Sequence, residues 1–336
     1  MNLDPLIRVI RRISPIRLVL VIVLSTGLIL SWACNPRRSD PDQTDIPTTV
    51  PTLTYPPLQP LANLLPLFDY AAFPFDVQEH SVATRDIVTV YDISYTSPKN
   101  GRVTAYLLVP LGAGPFAGVL FAHPADGDRS YFLSEAVSLA RAGAIAILVD
   151  SPWARPDPWR RDLDYSPEND LAIYVQEIVD LRRAVDLLAA QENVDPARLG
   201  FIGYSYGAHL GGVLSGIDGR LRAYVLMAGV PTRSERIPRR IATTFSSGEL
   251  AAYRQALRSV DAIQYVGHAA PAALFFQCAR QDEVIAEATS QRYYEAASQP
   301  KQVVWYEAGH MLNEQAYIDR AQWLAEQLGL DSEALK

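Results

Sequence analysis

Gly203-Tyr204-Ser205-Tyr206-Gly207 follows directly on an apolar run, Leu199-Gly200-Phe201-Ile202. A G-x-S-x-G sequence behind a strand-like run reads as a nucleophile elbow, a sharp strand-to-helix turn with the serine at its apex. The outer glycines let the chain pass closely through that turn without β-carbon clashes. The turn lifts the Ser205 hydroxyl clear of the sheet. It also sets Ser205 at a helix N-terminus, where free N–H groups favour developing negative charge.

Outward from the elbow, apolar strands alternate with helical patterns. Segments 87–95 (IVTVYDISY) and 103–109 (VTAYLLV) flank a turn at Lys99-Asn100-Gly101, which predicts a hairpin. Short apolar runs at 117–122, 144–149, 199–202, 221–227, 272–278 and 303–306 read as buried strands. Between them, 134–142, 171–190, 283–297 and 314–328 carry helical spacing; in 171–190 the apolar positions are Ile173, Val175, Ile178, Val179, Leu181, Val185 and Leu188. The pattern predicts an α/β fold: a mostly parallel, doubly wound sheet covered by helices on both faces, with an antiparallel N-terminal hairpin. One domain spans 67–336, and the long stretch 231–271 is a candidate for a small lid.

A serine hydroxyl needs a general base, and that base needs an orienting acid. Of the five histidines, His310 stands best, in Ala308-Gly309-His310 just past the strand at 303–306. Asp282 follows the strand at 272–278, with Glu283 as the alternative acid. The order Ser205, Asp282, His310 is the order of the α/β-hydrolase triad. His209, one helical turn past Ser205, reads as a packed histidine, and Cys278 as a buried thiol.

The chain resembles the α/β-hydrolases, and most closely their dienelactone-hydrolase-related and acetyl-xylan-esterase-like branches, over residues 88–328. The resemblance rests on Gly203-Tyr204-Ser205-Tyr206-Gly207, Ala279-Arg280-Gln281-Asp282 and Ala308-Gly309-His310. It implies a serine, acid and histidine triad on one edge of the sheet. Dienelactone hydrolases proper carry cysteine as nucleophile; Ser205 here favours a serine esterase. The family's oxyanion loop follows the third strand and usually begins His-Gly. Here it reads His123-Pro124-Ala125-Asp126-Gly127, and Pro124 has no N–H. The resemblance therefore assigns the oxyanion donors to the N–H groups of Ala125 and Tyr206. On such a sheet, loop 151–165 (SPWARPDPWRRDLDY) faces the site, so Trp153, Arg155, Trp159 and Arg160 are candidate pocket residues. His123 reads as a residue that shapes its loop.

These readings converge on a small-molecule carboxylic ester as substrate, with no metal or other cofactor and no protein partner implied. A serine peptidase on the same fold and a catalytically silent tethered binding protein are the rivals. The net charge of −7 and the lack of a basic stripe past the first forty residues argue against a nucleic-acid partner. Two cysteines make no disulfide framework, and no zinc spacing appears.

Residues 1–34 form a separate unit. Arg8, Arg11, Arg12 and Arg17 precede an apolar run at 18–30 that leads to Ala33-Cys34. This reads as a signal peptide ending in a lipobox-like Cys34, the candidate lipidation site, or as an uncleaved anchor near the lower limit of about 17 residues for crossing hydrocarbon. Either way the domain is expected outside, tethered to the outer face of the cytoplasmic membrane. The Pro- and Thr-rich stretch 35–66 reads as an extended linker.

Overall fold

The computed structural model describes residues 55–335. Their strands are β1 (Gln78–Arg85), β2 (Val88–Thr96), β3 (Arg102–Pro110), β4 (Phe116–Ala122), β5 (Ala144–Val149), β6 (Val194–Tyr204), β7 (Leu221–Met227), β8 (Ala273–Ala279) and β9 (Lys301–Tyr306). They form one nine-stranded sheet in the order β1-β2-β3-β5-β4-β6-β7-β8-β9. The pairs β1–β2, β2–β3 and β3–β5 are antiparallel. From β5 through β4 to β9 every pairing is parallel. The carboxyl ends of the parallel strands therefore share one edge of the sheet, where α/β proteins build their sites.

Helices cover both faces, which is why β5 (AIAILV) is buried at every residue. One face packs under α2 (Pro167–Ala189) and α3 (Tyr206–Ile217), whose Ile178, Val179, Val185, Leu210 and Val213 join its core. The other packs under α1 (Leu133–Arg141) and a C-terminal helix at Glu314–Leu328, through Ala136, Leu139, Leu324 and Leu328. In α2 the expected apolar stripe is buried, but so are Asp170, Gln176, Glu177, Asp180 and Arg183. Other segments of the chain cover and pair them: Arg155 of loop 151–165 meets Asp180, Tyr253 of the insert 231–271 donates to Asp170, Gln176 donates to the Asn100 carbonyl, and Arg183 donates to the Phe73 carbonyl.

Two elements differ from the sequence reading. The edge strand β1 (QEHSVATR) is exposed at all eight residues. It has no apolar alternation to betray it, and backbone pairing to β2 alone defines it. The linker also ends earlier than residue 66. Tyr55 donates its hydroxyl to Asp261 at 2.8 Å, Gln59 N–H donates to the Gln264 side chain at 2.9 Å, and Leu64 is buried. The expected leader at 1–34, with Cys34, and the linker up to residue 54 lie outside the described residues. Among the described residues, no helix is long and apolar enough to cross a membrane.

Residues 231–271 are a helical insert built around α4 (Ser247–Leu257), which Ser246 and Glu249 close with a capping box. The insert packs on α2 through Tyr253, whose ring also lies 6.3 Å from that of Tyr165.

Candidate active site

Strand β6 ends at Tyr204, and Ser205 turns the chain into α3 with φ 54° and ψ −108°. A non-glycine residue at positive φ costs on the order of 1–3 kcal/mol and persists only where its surroundings impose it. The surroundings here are tight. A β-carbon on Gly203 would lie 2.4 Å from the Gly207 carbonyl oxygen, and one on Gly207 only 2.0 Å from the Ala122 carbonyl oxygen. Both contacts are with backbone, which cannot swing aside. Gly207→Ala is therefore expected to destabilise the fold by about 2–3 kcal/mol, with β4 pushed from α3. Thermal denaturation checks this; an unchanged melting temperature would mean the two backbones are not in contact.

Two other strand ends meet Ser205. Asp282 follows β8, and His310 follows β9. The Ser205 hydroxyl lies 3.0 Å from His310 Nε2, and His310 Nδ1 lies 2.9 Å and 3.1 Å from the two Asp282 oxygens. With Asp282 accepting, the imidazole carries its proton on Nδ1 and offers the Nε2 lone pair to the serine. The ring also packs against Tyr204, 5.2 Å between centroids.

Asp282 is built to stay ionised. Burial works to raise its pKa, but the bonds from His310 and from the N–H groups of Ile285 and Val284 outweigh it and hold the carboxyl below its ordinary range. The alternative acid, Glu283, does a different job: it accepts the backbone N–H of His310 at 3.0 Å and so holds the loop, not the ring.

The loop after β4 is fixed by His123. The N–H of Ser151 donates to its Nε2 at 3.0 Å, so the ring proton sits on Nδ1 and bonds the Pro124 carbonyl at 2.7 Å. This ties the turn of Ala125 to the end of β5. Tyr206 is the first residue of α3, where an N–H has no intrahelical partner. Below it, the Tyr206 hydroxyl and the Ser151 hydroxyl both donate to the fully buried Glu177. Among the described residues, no three His, Cys, Asp or Glu side chains gather as metal ligands.

Glu177 gives this support a pH signature. Burial, only partly offset by the two hydroxyl donors, raises its pKa from an ordinary 4.5 to about 7. Between those values the native state holds a proton that the unfolded chain has lost, so stability falls as pH rises, and the loss is complete just above 7. Glu177→Gln should remove that slope. Measured by chemical denaturation, the variant should gain roughly 2–3 kcal/mol on wild type between pH 5 and pH 8. A difference that stays constant across that range would count against a buried, proton-holding Glu177.

No protein-family model matches the sequence, and neither does any curated protein sequence. Solved structures do match. An acetyl xylan esterase from Paenibacillus sp. R4 is 18% identical, with a TM-score of 0.64 over 80% of this chain and 100% of its own. Acetyl xylan esterase 1 from Thermoanaerobacterium sp. JW/SL YS485 is 14% identical, with a TM-score of 0.67 over 79% of this chain and 92% of its own. An S-formylglutathione hydrolase from Agrobacterium tumefaciens is 17% identical, with a TM-score of 0.59 over 75% of this chain and 100% of its own. The chain has the α/β-hydrolase fold.

In this α/β-hydrolase fold, a pocket of about 270 Å³ opens beside the elbow, with Ala125, Trp153, Leu163, Tyr206 and Arg233 in its wall. Two residues of loop 151–165 read as pocket residues do line it: Trp153, with its ring 5.2 Å from that of Tyr206, and Arg160. The other two do not. Arg155 points inward and is fully buried, with one guanidinium nitrogen 2.7 Å from Asp180 and Nε donating to the Asp150 carbonyl. The loop folds over α2 at this point, so the side chain serves the core. Trp159 packs over the β2–β3 turn, where a β-carbon on Gly101 would lie 3.4 Å from its ring. Arg160 itself is exposed and grips Asp162 through bonds of 3.0 and 2.9 Å.

Arg233 was not legible as a site residue. It sits in the loop after β7, and that position was the available signal: every loop at the carboxyl end of a parallel strand in an α/β-hydrolase fold shares the rim that holds Ser205. His209 helps place this loop, with ring nitrogens 3.1 Å and 3.0 Å from the carbonyls of Val230 and Val260; burial lowers its pKa to about 4.

Proposed function

We propose that this protein is a serine esterase acting through an acyl-enzyme. The reading rests on one observation: the hydrogen-bonded chain from Ser205 through His310 to Asp282, seated on a strained turn at the carboxyl edge of the sheet. In this reading Ser205 Oγ attacks the ester carbonyl while His310 Nε2 takes its proton. Asp282 fixes the imidazole tautomer and stabilises the imidazolium. The oxyanion forms between the N–H groups of Ala125 and Tyr206, each such donor lowering the barrier by about 3–4 kcal/mol. His310 then returns the proton to the leaving alcohol, and water, activated by the same imidazole, releases the acid. The solved structures that share the fold include proteins described as acetyl xylan esterases, which favours an ester over a peptide substrate.

The N-terminal segment 1–34 belongs to the same proposal as an export signal that leaves the enzyme tethered outside the cytoplasmic membrane. A fluorophosphonate probe tests the chemistry directly. The wild-type protein should label at Ser205 and lose activity in parallel. A folded protein that reacts with neither probe nor ester would make it a binding protein instead.

A further inference from the structure

The pocket beside the elbow contains a cation that no acid neutralises. Arg233 is only partly buried. Its guanidinium lies 5.2 Å from the ring centroid of Tyr174 and 5.9 Å from that of Tyr206, and Nε donates to the Tyr174 hydroxyl at 2.7 Å. Among the described residues, its two terminal nitrogens have no hydrogen-bond partner and no carboxylate within ion-pair distance. The acids nearby are all committed elsewhere. Asp162, in the pocket wall, is held by Arg160. Glu177 accepts from Ser151 and Tyr206. Asp261 accepts the backbone N–H groups of Arg233 and Ser234, not the guanidinium.

That anchoring also makes the cation rigid. With its backbone held by Asp261, its Nε by Tyr174 and its face on two aromatic rings, Arg233 has little freedom left to lose on binding. An arginine fixed in this way presents a planar fork of N–H donors, which matches a carboxylate. It lines the same pocket as Ala125 and Tyr206.

We propose that Arg233 is a specificity residue that binds a carboxylate on the substrate, so that the preferred substrates are esters carrying a second, anionic group a few atoms from the scissile carbonyl. This rests on the esterase reading and narrows its substrate class. The carboxylate can belong to the acyl part, as in a monoester of a dicarboxylic acid, or to the alcohol part.

The test compares matched pairs. Mono-4-nitrophenyl adipate against 4-nitrophenyl hexanoate probes the acyl side, and 4-acetoxybenzoate against phenyl acetate the alcohol side. The readout is the ratio of kcat/KM, anionic over neutral, in wild type and in Arg233→Met. In one arm the ratio should fall by roughly 100-fold in the variant, with Arg233→Lys restoring part of it. That arm identifies the side that carries the charge. A purely structural arginine would lower both members of a pair alike and leave both ratios unchanged, which overturns the proposal.

Wild type alone supplies a second measurement, should the methionine variant fail to fold. Adipate should inhibit hydrolysis of the neutral ester competitively, more weakly as salt rises, and adipamide should not. Equal inhibition by both, or by neither, also overturns the proposal. Turnover of the neutral esters that depends on Ser205 keeps the esterase reading intact while Arg233 fails. Absence of both turnover and fluorophosphonate labelling removes both readings together.

Discussion

Replacing Ser205 with alanine is expected to cut ester turnover by about 10⁴-fold or more and abolish fluorophosphonate labelling, with the melting curve unmoved. The Oγ atom takes part in a single hydrogen bond, to His310, and the turn is imposed by the surrounding backbone, so the fold loses almost nothing with it. The companion substitutions separate the two acids. Asp282→Asn cannot accept the Nδ1 proton in the same way and should cost roughly 10³–10⁴-fold. Glu283→Gln touches only the backbone of residue 310 and should cost far less. Retention of most activity in Ser205→Ala would end the esterase proposal. The reverse order of the two acid variants would move the orienting role to Glu283.

The second large effect is on stability. Asp180→Ala is expected to destabilise the protein by about 3–5 kcal/mol, because it strands the guanidinium of Arg155 in the interior. Both side chains of this pair are 1% exposed. Asp180 also accepts the Ser97 hydroxyl at 2.6 Å, so the pair ties helix α2 to the loop after β2 as well as to loop 151–165. For a domain of this size, the loss corresponds to a fall in melting temperature of about 10 °C. Calorimetry on the variant checks this; a fall of less than about 2 °C would show that water reaches Arg155 and that the pair contributes little.

The sequence read well wherever one physical signal dominated. Strands buried on both faces announce themselves as continuous apolar runs, and the residues that meet at the site each follow such a run, which made Ser205, Asp282 and His310 readable in order. It read poorly where burial depends on what covers a surface. Glu177, Asp180 and Arg183 look like the solvated side of α2; they are buried because segments distant in sequence fold over them, Ser151 and Arg155 on the first two and Phe73 and Phe75 on the third. Arg155 and Arg160, five residues apart in one loop, have opposite fates for the same reason. Strand β1, held by backbone bonds and exposed side chains, left no pattern to find, and the composition of residues 55–66 hid three anchoring contacts behind its prolines.

Tyr55 shows what those contacts imply for anyone trimming the molecule. Its hydroxyl meets the same Asp261 carboxyl that holds the backbone of Arg233, and its ring lies 5.4 Å and 5.1 Å from the guanidinium groups of Arg258 and Arg292. A version begun at Leu67 would discard that brace together with the buried Leu64, and would loosen the very loop whose selectivity is to be measured. The useful cut lies upstream of Tyr55, where this brace on the Arg233 loop is kept whole.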